Sequence, residues 1–228
     1  MGFEEWVDSS TGLTVWRSWG RGVVKILPDA HADLIFWRGR WVIAGYDTAV
    51  HAFDRGHGST TFGLRLPHGA LPALLRAPAT RAVDRRIDLA DVDPGLERRL
   101  RRACASPPSM AGALCDVAGE VAERLLEVSN ERANGVAASL AAEAGAVAAT
   151  ARAFDLSKRT LRRYCLSIFG ISPVLLRQIL QFQRAVGLLR AGVPPAEAAA
   201  RASYADQAHL CRAVRRFAAT TPASIRKS

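Results

Sequence analysis

Cysteine is scarce in these 228 residues, and lysine nearly absent. The four cysteines are Cys104, Cys115, Cys165 and Cys211. None forms a C-x-x-C pair or lies near a histidine at zinc-finger spacing, which excludes a disulfide scaffold and a zinc finger. They read as small apolar residues in a reducing compartment. Nowhere do about 18 apolar residues run without a charge, so no membrane span is expected. The first residues, from Met1 to Trp6, are acidic and lack an apolar stretch, so no secretory signal is expected either. There is no G-x-S-x-G, no P-loop and no G-x-G-x-x-G. The expectation is a protein that is not an enzyme and needs no cofactor. His31, His51, His57 and His68 lie near Asp29, Asp33, Asp47 and Asp54. Their spacings match no metal-binding motif, and no metal is expected.

What is present is charge of one sign, in one place. The net charge is +10. Residues 1–130 hold 16 basic and 16 acidic side chains, whereas residues 131–228 hold 15 and 5. The whole excess therefore lies in the last 98 residues, which points to a polyanionic partner for that half. Only Lys25, Lys158 and Lys227 are lysines among 31 basic residues. Arginine suits bidentate contacts to phosphate and guanine. A GC-rich genome has the same effect on composition. Apolar residues make up 49%, enough for a substantial core.

Residues 12–66 have strand character. Leu34–Trp37 and Trp41–Ala44 flank Arg38-Gly39-Arg40, a hairpin-sized loop. Short helices are expected near residues 70–76 and 93–105. Ser106-Pro107-Pro108-Ser109 is a break. Leu114, Val117, Val121, Leu125 and Val128 then recur at helical spacing within 110–129. Beyond Glu131 the pattern is helical throughout. Helices are expected at about 132–143, 146–153, 157–168, 173–190, 195–202, 206–217 and 222–226. Ser157 and Asp206 fit N-caps, Pro173, Pro195 and Pro222 fit first turns, and Gly170 and Gly192 fit helix ends.

Two helix-turn-helix units stand out in the basic half. Each has a first helix of small residues (147–153 and 196–202) and a polar second helix (157–164 and 206–212). In such a unit the second helix enters the major groove. The helix joining the two units has 18 residues, about 27 Å at roughly 1.5 Å each. With its ends added, the reading heads would lie about one B-DNA turn, roughly 34 Å, apart.

The ordered residues of this half resemble the AraC/XylS type of bacterial transcription regulator. They are Leu156-Ser157-x-x-x-Leu161-x-Arg163, Phe169-Gly170-Ile171-Ser172-Pro173, Arg184-Ala185-x-x-Leu188-Leu189, Asp206-Gln207-x-His209-Leu210-x-Arg212 and Thr221-Pro222-x-x-x-Arg226. The sequence departs from the pattern at Ser203 and Ala219, where glycine is usual, and at Val214 and Ile225, where an aromatic is usual. Leu27-Pro28-Asp29, Gly45-x-Asp47-Thr48 and Gly63-Leu64-Arg65-Leu66 echo a small β domain that precedes some members.

The resemblance implies an α+β two-domain chain. Residues 1–105 would form a β-rich domain, barrel-like or sandwich-like, with a regulatory or dimerising role. Residues 106–130 would be a linker with an amphipathic helix. Residues 131–228 would be an all-α domain with two helix-turn-helix units on one long helix, able to fold and bind DNA alone. Base contacts are assigned to Arg159, Arg162, Arg163, Gln207, His209 and Arg212. Phosphate contacts are assigned to Ser157, Lys158, Thr160, Arg215, Arg216 and Lys227. Asp33, Arg65 and Trp37 are the effector candidates. For Asp33 and Arg65 the alternative is a structural ion pair, and for Trp37 it is packing. Double-stranded DNA is the expected partner, with a small-molecule effector, RNA polymerase and a second copy of the chain as further candidates. A cytoplasmic, nucleoid-associated location follows. A non-specific nucleoid-type binder is the alternative. A fused DNA-alkylation repair module is disfavoured, because residues 1–103 contain no cysteine.

Overall fold

The computed structural model describes residues 2–55, 58–105, 117–119, 121–122, 131–142 and 147–227. Its first half is a sheet domain. The strands are β1 (Gly2–Val7), β2 (Thr14–Gly20), β3 (Val23–Ile26), β4 (Ala32–Trp37), β5 (Arg40–Ala44), β6 (His51–Asp54), β7 (Ser59–Leu66) and β8 (Arg86–Asp88). Six of them form a sheet in the order β1-β2-β7-β4-β5-β8, all paired antiparallel, and β3 pairs with β6 as a separate ribbon. Alternation of side chains puts Val15, Leu34, Ile43 and Leu64 fully inside. Trp37 on β4 packs on Phe53 of β6 with ring centroids 5.0 Å apart, joining ribbon to sheet.

The β4–β5 loop is tighter than the sequence suggests. Trp37 pairs with Arg40, leaving only Arg38 and Gly39 in the turn, at φ 49° and 76°. Two positive φ values give the turn whose twist matches a right-twisted hairpin. Strands β1 and β8 lie outside the sequence-read strand region, at the two edges of the sheet. An edge strand needs no strict apolar alternation, and that is why neither announced itself.

Helices α1 (Ala70–Leu75), α2 (Leu89–Val92) and α3 (Pro94–Ala105) complete this half, with a 3-10 turn at Ala79–Ala82. The amphipathic stretch 110–129 lies mostly outside the described residues. Its described parts, 117–119 and 121–122, are helical, with Val117 and Val121 buried.

The second half is helical. It comprises α4 (Glu131–Ala141), α5 (Val147–Ala153), α6 (Lys158–Ile168), α7 (Pro173–Arg190), α8 (Pro195–Arg201), α9 (Gln207–Ala218) and α10 (Pro222–Lys227). Capping follows the sequence signals. Ser157, Ser172 and Asp206 accept hydrogen bonds from the N–H groups of Thr160, Leu175 and His209. Pro173 and Pro195 open their helices.

One continuous apolar core runs from Leu13, just before β2, to Ile225 in the last helix. The seam between the halves centres on Phe169, at the C-cap of α6. Its ring meets Tyr46 at 5.9 Å and His68 at 5.4 Å, both edge-on, and is fully buried. Gly170 follows at φ 71°, and a Cβ there would lie 2.5 Å from a Val83 methyl and 2.8 Å from the Ala79 carbonyl oxygen. Gln183 on α7 donates to the Pro28 carbonyl.

Candidate nucleic-acid interface

The two units are built alike. In each, the first helix ends on a residue in the left-handed region, Asp155 at φ 52° and Ser203 at φ 60°. The next backbone N–H reaches back to close the turn, from Leu156 to the Ala151 carbonyl (2.8 Å) and from Tyr204 to the Ala199 carbonyl (2.9 Å). Ser203 thus keeps the backbone geometry that glycine usually supplies. Val214 and Ile225, where an aromatic is usual, stay in the core as aliphatic fillers.

The helical period sorts each reading helix into two faces. On α6, Leu161 and Cys165 are buried, and burial pushes the Cys165 thiol up to about 12, so it is a neutral packing group. Lys158, Arg159, Arg162 and Arg163 are exposed, with no acidic partner among the described residues. On α9, Leu210, Val214 and Phe217 are buried while Gln207, His209, Arg212, Arg215 and Arg216 are exposed. Gln207, Ala208, Cys211, Arg212 and Arg215 line a depression of about 550 Å³.

Several candidates have partners of their own. Ser157 and Thr160 hydroxyls bond each other at 2.8 Å as part of the cap. The His209 imidazole stands edge-on to Tyr204 at 5.0 Å. Arg216 donates to Gln178 Oε1 at 3.1 Å and lies over Phe217. The Lys227 side chain lies outside the described residues.

Residues 150–228 match the family model described as a helix-turn-helix domain. This segment is a helix-turn-helix domain of the AraC/XylS type. Such a domain is that of a DNA-binding transcription regulator. It makes DNA the partner of the basic half. The C-terminal domain of AraT, a response regulator from Geobacillus stearothermophilus, is similar to this chain at 20% identity, covering 42% of this chain and 81% of that one, with a TM-score of 0.39. ToxT from Vibrio cholerae is similar at 6% identity, covering 93% of this chain and 97% of that one, with a TM-score of 0.49. No curated protein matches.

Outside the helix-turn-helix domain, the effector candidates do not converge. Asp33 and Arg65 are cross-strand neighbours on β4 and β7, yet they are not each other's ion-pair partners. Trp16 Nε1 donates to Asp33 at 2.8 Å, whereas Arg65 pairs with Asp29 (3.4 Å) and Glu5 (3.7 Å). The Asp33–Arg65 ion pair, the alternative to an effector role, does not form; Arg65 takes Asp29 and Glu5 instead. Burial, with Asp29 nearby, raises Asp33 to about 7. Trp37 packs at the far end of β4, with Arg38 stacked 4.7 Å over it.

The sequence singles out His31 and His68 among four histidines, but nothing in their spacing pairs them. His31 and His68 stack at 5.1 Å, nearly parallel, beneath Phe169. Burial holds both near 4, helped by Arg65 for His31 and by His31 for His68. No group of three or more His, Cys, Asp or Glu side chains suited to a metal occurs among the described residues, and His57 lies outside them.

Proposed function

We propose that the chain is a sequence-specific transcription regulator that reads two successive major-groove segments, with α6 in the first and α9 in the second. One observation carries this reading. Two exposed polar faces, Arg159/Arg162/Arg163 and Gln207/His209/Arg212, sit just beyond the capped N-termini of helices docked on the same 18-residue rod, α7. N-terminal residues of a recognition helix are those that reach base edges. Arg162 suits guanine O6 and N7, and Gln207 suits adenine N6 and N7. Lys158, Arg215 and Arg216 take phosphates and set register, as do Lys227 and the Ser157–Thr160 hydroxyls.

The sheet domain, residues 1–105, serves as the regulatory half, through a small-molecule effector or through contact with a second copy. RNA polymerase is the downstream partner, and the nucleoid in the cytoplasm the place of action. The test is selection of bound fragments from random duplex, followed by footprinting. The expected footprint covers about 20 base pairs on one face. If about 6–8 phosphates are neutralised, log K against log salt falls with a slope near −5 to −7. Equal affinity for every duplex would favour the non-specific binder instead.

A further inference from the structure

We propose that Gln181, on the connecting helix α7 rather than on either reading helix, is the residue that positions the second reading head. The inference rests on the DNA-reading proposal above. The end of a helix leaves carbonyl groups without partners, and a turn held in a left-handed conformation by a residue other than glycine needs outside support. In the second unit, α8 ends at such a turn, on Ser203. The Gln181 side-chain amide donates to both carbonyls there, Ala202 at 3.1 Å and Ser203 at 2.7 Å. An amide NH₂ has two hydrogens, and this geometry gives one to each carbonyl.

The first unit shows the same device with a different side chain. There Arg132, on the helix before the unit, donates to the carbonyl of Phe154, which precedes the left-handed Asp155. Phe154 stands in the first unit where Ala202 stands in the second. Each unit therefore has its turn clamped from the preceding helix, by a guanidinium in one and an amide in the other.

A second contact makes the clamp directional. Gln178 lies three residues before Gln181, on the same face of α7, and accepts from Arg216 near the C-terminal end of α9. The Gln181 contact fixes the turn that leads into α9, and the Gln178 contact fixes its far end. Two points define the direction of a rod, and base readout requires placement within about 0.5 Å. Gln181 thus acts on DNA without touching it.

The experiment uses the full chain and a duplex that the wild type selects from a random pool. Gln181→Met keeps the length of the side chain and removes both donors. It is expected to lose protection over the second groove segment while keeping the first. Affinity for the two-segment duplex should fall about tenfold, with affinity for a duplex carrying only the first segment unchanged within about twofold. Gln181→Arg, which copies the first unit's solution, should restore the second segment. If Gln181→Met does not fold, Gln181→Glu, equally long and without an amide donor for either carbonyl, takes its place with the same readout. Retention of both segments, or equal weakening over both, would overturn the inference and leave the regulator reading intact. A wild-type chain that selects no duplex would overturn both.

Discussion

Arg162 and Ala219 show how differently one side chain can matter at the scale of the residue. Arg162 is exposed on the second turn of α6 and pairs with nothing acidic among the described residues, so its removal should leave folding alone. Arg162→Ala is expected to cost about 1–3 kcal/mol on the selected duplex and to relax preference at one base pair. Arg215→Ala should instead weaken all sequences alike and reduce the salt slope by about 1. Binding measured against single-base-pair variants of the site separates the two. Ala219 is a matter of backbone. It caps α9 at φ 47°, where a Cβ crowds the following carbonyl. Ala219→Gly is expected to stabilise the chain by about 0.5–1 kcal/mol, read from urea unfolding. A destabilised Ala219→Gly would mean that the strain is absorbed elsewhere.

At the scale of elements, the two glycines that end α6 and α7 make a controlled comparison. Gly170 and Gly192 both have left-handed backbones, at φ 71° and 84°. Around Gly192 nothing lies within 4 Å of a Cβ, whereas at Gly170 a Cβ would strike Val83 and the Ala79 backbone. Gly192→Ala should therefore cost only the local strain, about 1–2 kcal/mol. Gly170→Ala adds a clash across the seam and should cost at least about 1–3 kcal/mol more, read from denaturant midpoints. Equal costs would show that the halves part without penalty. The helices themselves were legible in the sequence, because caps, prolines and a 3.6-residue period act within one segment. Their ends came out within a residue or two of the expected positions, save that the expected 132–143 closes at Ala141. Strands β1 and β8 were not legible, since what makes them strands is the neighbour each one pairs with.

Across the whole molecule, the stacked imidazoles of His31 and His68 link acid stability to the seam. Both are held near 4, below the ordinary 6.5, chiefly by burial. The folded state then binds fewer protons than the unfolded chain between those values, so stability is lost as pH falls from about 6.5 to 4. Asp33 has the opposite sign. Raised to about 7, it favours the folded state at low pH and loses that contribution as pH rises through about 7. His68→Phe should flatten the acid limb, recovering up to about 3 kcal/mol by pH 4 relative to the wild type. Chemical denaturation across pH checks this, and an unchanged acid limb would place the sensitivity elsewhere. The seam also bears on autonomy. A fragment of residues 131–228 uncovers Phe169, so it is expected to bind duplex but to unfold at lower denaturant than the full chain. Salt-titrated anisotropy and urea titration of that fragment test both halves of the statement.

The sequence by itself determined the features that depend on near neighbours and on composition. These are the location of the positive charge, the two repeated units, their capping residues and the exposed arginines of α6, because a helix face is set by residues three and four apart. It also carried the ordered motif set that identifies the domain type. Only the tertiary structure decided what depends on contacts between distant segments. It paired Arg65 with Asp29 and Glu5 instead of Asp33, brought His31, His68 and Tyr46 under Phe169, and set Gln181 against the turn at Ser203. Those partners lie from 22 to more than 100 residues apart in the chain. No period or local preference encodes such meetings; they exist only once the core has packed and each buried polar group has taken the partner within its reach.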